Sequence, residues 1–419
     1  MGSYSRILAV PRMPSLLATG TLARLPIGIN GLAVVLLLQD ERGSFGIAGL
    51  AAGALALGSG VGTPLMARVV DRTGPRVLGL LAVLCAIGLV TLLAVAASAP
   101  PVLVVLLAGV TGAVAPPVSS LLRALYPKLL RGRPELIHGA FALDSVLTEL
   151  LFIAGPALTA AIAVLISPGA ALVVSAGAVT IGTFSFLAVL GDGVDDAAGE
   201  VAAPSGLLGA LRAPGVRTLV VTMLPVGFAF GILEITITAF ATEEGHRELA
   251  GVLLTLWAVA SAAGGLVYGA RPRRGTASDT HLRVALALPL GLAPIVLATS
   301  PATMALLVIP AGIFIAPLLA TRNELAGLVA PPGTETEAYT WPLTAIVAGI
   351  AGGAALAGVL VDAAGWRTAA VTAVGCAAVG SALALGRLRC GRGVKPRPDC
   401  SSRATGAGAG ASDTPIRAS

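Results

Sequence analysis

Twelve separate stretches of this chain are apolar for long enough to cross a bilayer, and that repetition limits the fold more than any other feature. A spanning helix needs roughly 17–25 mostly apolar residues, because the hydrocarbon core is about 30 Å thick and a helix rises about 1.5 Å per residue. The stretches run over residues 14–38, 45–67, 77–98, 101–124, 136–165, 169–190, 215–241, 249–270, 282–299, 302–321, 338–361 and 367–387. Backbone groups in lipid find no water, so spans this long are helices that satisfy themselves. The expected fold is all-α and integral to the membrane, with twelve transmembrane helices. Composition agrees. Only 11% of the 419 residues are charged and 56% are hydrophobic, whereas a soluble domain carries about 25% charge.

The basic residues set the orientation. Of 27 Lys and Arg, 23 lie in, or at the edge of, segments on the side of the N-terminus. The opposite loops hold Arg42, Arg247 and Arg367, and Arg24 falls inside the first span. The positive-inside rule then puts both termini in the cytoplasm and the chain in the inner (cytoplasmic) membrane. The N-terminal twenty residues read as a lead into span 1, not as a removed signal peptide. The net charge of +6 comes without a basic stripe interleaved with aromatics, so the partner is lipid bilayer and not nucleic acid.

Several chemistries are not expected. The four cysteines (Cys85, Cys376, Cys390, Cys400) lack metal-ligand spacing and point to no disulfides. The three histidines, His138, His246 and His281, stand at loop or span ends and form no catalytic cluster. No GxxxxGK[ST] loop is present, so this chain does not pump with ATP. No enzyme activity, cofactor or metal is expected.

The spans repeat. Leu25-Pro26-Ile27-Gly28 in span 1 matches Leu224-Pro225-Val226-Gly227 in span 7, an offset of 199 (224 − 25). Gly62–Arg68 at the end of span 2 matches Gly265–Arg271 at the end of span 8, an offset of 203 (265 − 62). Ala140-Phe141 and Gly155 of span 5 match Ala338-Tyr339 and Gly353 of span 11, an offset of 198 (338 − 140). Three matches near one offset imply a six-plus-six duplication, a standard transporter plan with the substrate site between the halves. The expected domains are a six-helix bundle at 1–190, a cytoplasmic linker at 191–214, a second six-helix bundle at 215–387 and a disordered basic tail at 388–419.

Between spans 2 and 3 the chain reads Ala67-Arg68-Val69-Val70-Asp71-Arg72-Thr73-Gly74-Pro75-Arg76. This resembles the GxLxDRxGRR loop of the major facilitator superfamily. Asp71, Arg72, Gly74 and Arg76 match, and Ala67 and Pro75 depart from it. The resemblance implies two pseudo-symmetric six-helix bundles and a cytoplasmic gate at these four residues. A carboxylate there would cap a helix N-terminus or pair with an Arg. Gly155-Pro156 resembles the core of the span 5 motif of drug–proton antiporters, with Thr159-Ala160 where Gly-Gly usually follows. Such antiporters often carry an Arg within span 4; here Arg123 reads as lying at the cytoplasmic end. The segments Ala23–Gly28, Ala142–Glu149 and Glu337–Trp341 are similar to those of actinobacterial exporter-like members.

Four ionisable residues fall well inside spans: Arg24, Asp144, Glu149 and Glu234. An intramembrane charge costs roughly 2.5–3.5 kcal/mol to insert, so such residues face a partner or a cavity. Spans 1 and 5 are neighbours in the resembling fold, which suggests an Arg24–Glu149 pair. It is either a static clip or a proton-coupling pair whose partners exchange. Asp144 and Glu149 point about 140° apart on one helix, so they form no dyad. Asp144 shares a face with Thr148, which suggests a local hydrogen bond. Glu234 is a candidate for an acidic contact to a cationic group or a second proton site, or is a satisfied buried acid near the outer mouth. Asn30, Phe228, Phe230 and Arg322 are further lining candidates, and Trp257 and Trp341 read as interfacial or packing aromatics. His138 reads as a headgroup residue.

The function these features favour is export of small amphiphilic or apolar molecules by alternating access, with proton antiport, by a monomer. A metabolite importer or facilitator of the same superfamily stays open, as does a non-transporting receptor.

Overall fold

A computed structural model describes residues 3–191, 209–246, 249–272 and 275–389. The expected tail beyond 389, most of the expected linker (192–208), Arg247, Cys390 and Cys400 lie outside the described residues. Every regular element among the described residues is helical.

Among the described residues eleven helices are long and apolar enough to cross a membrane. They are span 1 (Met13–Arg42), span 2 (Gly46–Thr73), span 3 (Val77–Val95), span 4 (Pro101–Leu129), span 5 (Pro134–Leu165), span 6 (Pro168–Leu190), span 7 (Pro214–Glu243), span 8 (Leu249–Ala270), span 9 (Ala277–Leu297) and span 10 (Pro301–Val329). The last, Glu335–Arg387, holds two spans. Gly365 breaks it with φ 76°, ψ 167°, a conformation only glycine adopts freely. Spans 11 and 12 meet there, which completes twelve helices in two pseudo-symmetric bundles of six.

Local chemistry marks the ends. Proline occupies the first turn at Pro101, Pro168, Pro214 and Pro301, where its missing N–H costs nothing. Ser44, Ser167, Thr276 and Ser300 cap helix starts with their hydroxyls. Gly43 and Gly74 end spans 1 and 2 with positive φ.

Three spans are broken inside. Span 1 is interrupted at Leu25, before Pro26. Span 4 divides between Ala113 and Val118, around Pro116 and Pro117. Span 10 divides at Phe314, ahead of Pro317. The breaks in spans 4 and 10 follow Gly112 and Gly312, 200 residues apart (312 − 112), so the duplication extends to the interruptions.

Within a half, helices touch at the backbone. A Cβ on Gly28 or Gly155 would strike the other helix's main chain, so spans 1 and 5 cross with nothing between them. Gly227, Gly231 and Gly349 repeat this between spans 7 and 11.

Twelve crossings return the chain to the face where it starts, here called the terminal face. The buried apolar clusters divide by depth. One, containing Ile7, Met13, Tyr126, Phe141, Leu325 and Tyr339, draws on both halves at the terminal face. Deeper toward the far face, one cluster runs from Ile29 to Ala176 and another from Met223 to Ala377, each within a single half. The halves share a core at the terminal face and keep separate cores toward the far face.

Candidate functional site

The terminal face is sealed by polar contacts across the halves. Asp71, at the end of span 2, accepts from the backbone N–H groups of Thr336 (3.0 Å) and Glu337 (2.8 Å) at the start of span 11. A helix start has N–H groups without intrahelical partners and a partial positive charge, so a carboxylate suits it. One turn earlier, Arg68 meets Glu337 with two nitrogens: Nη2 to Oε1 at 2.6 Å and Nε to Oε2 at 3.2 Å. Such two-pronged pairs fix geometry as well as charge. Trp341 Nε1 donates to Glu337 Oε1 (2.9 Å), and Thr344 Oγ1 donates to the Gly60 carbonyl (2.9 Å). Gly74 ends span 2 beside this cluster, and Arg72 and Arg76 are exposed at the same end.

The loop motif pointed to Asp71 but not to Arg68 or Glu337, which carry the ion pair. A signal was available in the two acids, Glu335 and Glu337, that open span 11 opposite Arg68 and Arg72 at the end of span 2. The N-terminal segment does more than lead into span 1. Residues Ser3–Leu8 form a helix whose Tyr4 hydroxyl donates to the Leu266 carbonyl of span 8 (2.7 Å), while Ile7 abuts Gly139 of span 5. It bridges both halves.

The intramembrane charges are arranged differently from the sequence-based expectation. Arg24 pairs with Asp144, not Glu149: Nη1 lies 2.6 Å from Oδ1. Arg123 Nε lies 2.7 Å from Asp144 Oδ2, and the Tyr126 hydroxyl donates to Oδ1 at 3.3 Å. The break before Pro26 ends the first segment of span 1 at Arg24, and the kink in span 4 carries Arg123 inward. Both arginines are 3% exposed and Asp144 0%, so Arg123, six residues before the end of span 4 at Leu129, is buried within the protein. The Thr148 hydroxyl bonds the Asp144 backbone carbonyl (2.9 Å) and leaves the carboxylate to the arginines.

Glu149 is half-buried and faces the other half of the protein. Ser261 of span 8 donates its hydroxyl to Glu149 Oε1 (3.1 Å) and accepts from the Ala316 N–H (3.2 Å), just past the break in span 10. One serine thus connects the acid of span 5 to the interrupted backbone of span 10.

Glu234 is exposed in the far half of span 7. Its position lies between Phe230, which turns onto Trp257 of span 8, and Gly231, which packs on Ile350 of span 11. Spans 8 and 11 both pack on the other half, so Glu234 looks toward that half. Asn30 does not: Ser175 of span 6 donates to its Oδ1 (2.5 Å), holding it between spans 1 and 6. Gly155 packs on Gly28, with Pro156 next to it in a continuous helix. Phe228 packs against Gly352 and Gly353 of span 11. His138 is buried and bonds the Arg271 carbonyl (3.0 Å) instead of reaching a headgroup. Arg322 is 2% exposed, and among the described residues its hydrogen bonds go to the side-chain oxygen of Asn323.

The chain belongs to the major facilitator superfamily, whose family model matches residues 16–288. No curated protein matches it by sequence. Among solved structures it is similar to the human organic anion transporter MFSD10 (TETRAN), with TM-score 0.67, 18% identity, and 88% of this chain and 99% of that one covered. It is similar to a bacterial homologue of the iron transporter ferroportin in the outward-facing state, with TM-score 0.73, 12% identity and coverage of 89% and 98%. A third is a point variant of the fucose:proton symporter FucP of E. coli, with TM-score 0.68, 16% identity and coverage of 89% and 98%. At these identities the likeness is one of fold. Among the described residues no group of three or more His, Cys, Asp or Glu gathers as a metal site.

Proposed function

We propose that this protein exports small molecules across the inner membrane in exchange for protons, working as a monomer by alternating access. The observation that carries the reading is Glu149. It stands inside a span, meets no cation among the described residues, and its one partner is a hydroxyl on the opposite half. A carboxylate in such surroundings is costly to keep charged. Taking up or losing a proton there changes a bond across the very seam that must open and close. The terminal-face seal, with Asp71, Arg68 and Glu337, is the gate on the cytoplasmic side in this reading. The Lys and Arg distribution supports that orientation. The separate cores toward the far face fit a state open to the outside. Glu234 is the acidic group on the cargo path, and residues 191–214 link the two transport bundles. The outward direction rests on the likeness of Ala23–Gly28, Ala142–Glu149 and Glu337–Trp341 to exporter-like members.

The test compares small molecules inside and outside cells with and without the protein, by untargeted mass spectrometry, alongside a Glu149→Gln strain. Accumulation inside when the protein is missing, repeated in the Gln strain, supports coupled export. A compound that instead fails to enter reverses the direction, and no change over a broad panel removes transport as the function.

A further inference from the structure

The duplication leaves one buried charge unmatched. Arg123 and Arg322 are repeat mates, 199 residues apart (322 − 123), each in the second segment of a broken helix. Arg123 has a carboxylate, Asp144, on span 5. Spans 5 and 11 are related by 198 residues, so the position matching Asp144 is Pro342 (144 + 198), and Arg322 has no acid there. Arg24, by the span 1 to span 7 offset of 199, maps to Met223 (24 + 199). The N-terminal half thus holds an Arg–Asp–Arg triad, and the C-terminal half holds the arginine without its counter-charge.

The polar atoms around Arg322 agree. Among the described residues its Nη1 has no hydrogen-bond partner, and neither do Arg123 Nη1, Asn323 Nδ2 and His281 Nε2. Arg322, Arg123 and Asp144 are near enough for their charges to act on one another, and His281 lies within the field of Arg322. Glu324, two residues along and about 200° round the same helix, is buried as well. Two arginines already share Asp144, and among the described residues Arg322 keeps a donor that nothing meets. A buried, unpaired guanidinium costs several kcal/mol unless an anion meets it.

Resting on the transport reading, we infer that Arg322, with Arg123 and Asn323, binds an anionic group of the cargo, a carboxylate, sulfonate or phosphate. The planar guanidinium matches those oxygens in pairs. Arg322 is buried on the segment of span 10 whose Ala320, Leu325 and Ala326 belong to the core shared by both halves at the terminal face. It becomes reachable when that face parts, so the anion enters from the terminal side. The cargo is then an amphiphilic anion, and not a neutral apolar molecule.

The experiment measures binding to the purified full chain in detergent by calorimetry. The probes are benzoate, benzenesulfonate and phenyl phosphate, with tetraphenylphosphonium and phenyl glucoside as cationic and neutral controls. At least one anion binds the wild type in preference to both controls. Arg322→Gln weakens that binding tenfold or more, Arg322→Lys weakens it less, and Pro342→Asp, which supplies the missing acid, abolishes it with Arg322 in place. Size-exclusion profiles identify variants that misfold, and the Lys and Asp variants keep the test alive if Gln is one of them. Failure of all three anions to bind overturns the inference, as does binding that Arg322→Gln leaves unchanged. Flux in proteoliposomes separates the two readings. An anion that binds through Arg322 but never crosses leaves the site standing and removes transport. Flux of the cation or the glucoside that Arg322→Gln leaves intact keeps transport and removes the anion site.

Discussion

Arg68 and Glu337, 269 residues apart in sequence, form a two-pronged ion pair that ties the end of span 2 to the start of span 11. Glu337 is fully buried and Arg68 partly exposed. In the alternating-access cycle proposed above, the pair belongs to the state closed at the terminal face and must break for that face to part.

Arg68→Ala leaves a buried carboxylate without its cation, a loss of roughly 3 kcal/mol in the closed state. The balance moves toward a parted terminal face. Spin labels at Thr73 and Pro332, in a background without the four native cysteines, will report longer distances. Exchanging the pair as Arg68→Glu with Glu337→Arg will restore part of the short-distance population.

Asp71→Ala removes the cap on span 11 and costs the closed state about 1 kcal/mol. Asp71→Asn keeps one acceptor oxygen and falls between. The same label pair ranks the three proteins, with the wild type shortest.

Glu149→Gln fixes the group in an uncharged form that still bonds Ser261. Cargo exchange continues, while drive by a pH gradient disappears. Ser261→Ala loses the bridge to Ala316 and weakens coupling less than Glu149→Gln does. Gradient-driven flux against equilibrium exchange in proteoliposomes distinguishes these. Coupling that survives Glu149→Gln removes the acid from the mechanism.

Asp144→Asn leaves Arg24 and Arg123 buried without a counter-charge, a penalty of roughly 3–5 kcal/mol. The thermal midpoint in detergent falls clearly. Replacing all three groups together, as Arg24→Met, Asp144→Leu and Arg123→Met, recovers much of it, because an apolar cluster carries no desolvation cost.

Gly269 lies where spans 5 and 8 meet, against Ala142 and the Tyr4 ring. Gly269→Leu will keep the terminal face from closing. A cysteine placed at Leu325, buried in the wild type, will react with a water-soluble maleimide only in that variant.

The twelve spans were legible because each is a long apolar run, and the run is the cause of the helix. Their interiors were less so. Arg24 lies nearer Asp144 than Glu149 because span 1 breaks at Leu25 and span 4 at its prolines, and helical periodicity assumes no breaks. Asn30 was polar and inside a span, yet its partner on span 6 follows from packing that sequence spacing does not encode. Asp71 stood out through its loop motif, whereas Glu337 acquires meaning only once span 11 is laid beside span 2. The unmatched Arg322 was readable from the repeat offset itself, since Pro342 occupies its acid's place.

The backbone crossing of Gly28 on Gly155 also bears on movement. Two main chains in contact have no side chains to rearrange, so spans 1 and 5 turn as one lever, as do spans 7 and 11. At Gly265 and Gly269, between the halves, the nearest obstacles are side-chain atoms, which can swing aside or be replaced by water. Spans 1 and 5, and spans 7 and 11, therefore resist sliding on each other more than the seam between the halves does. In the proposed cycle, then, opening at the Arg68–Glu337 end moves the two halves as rockers about the seam they share.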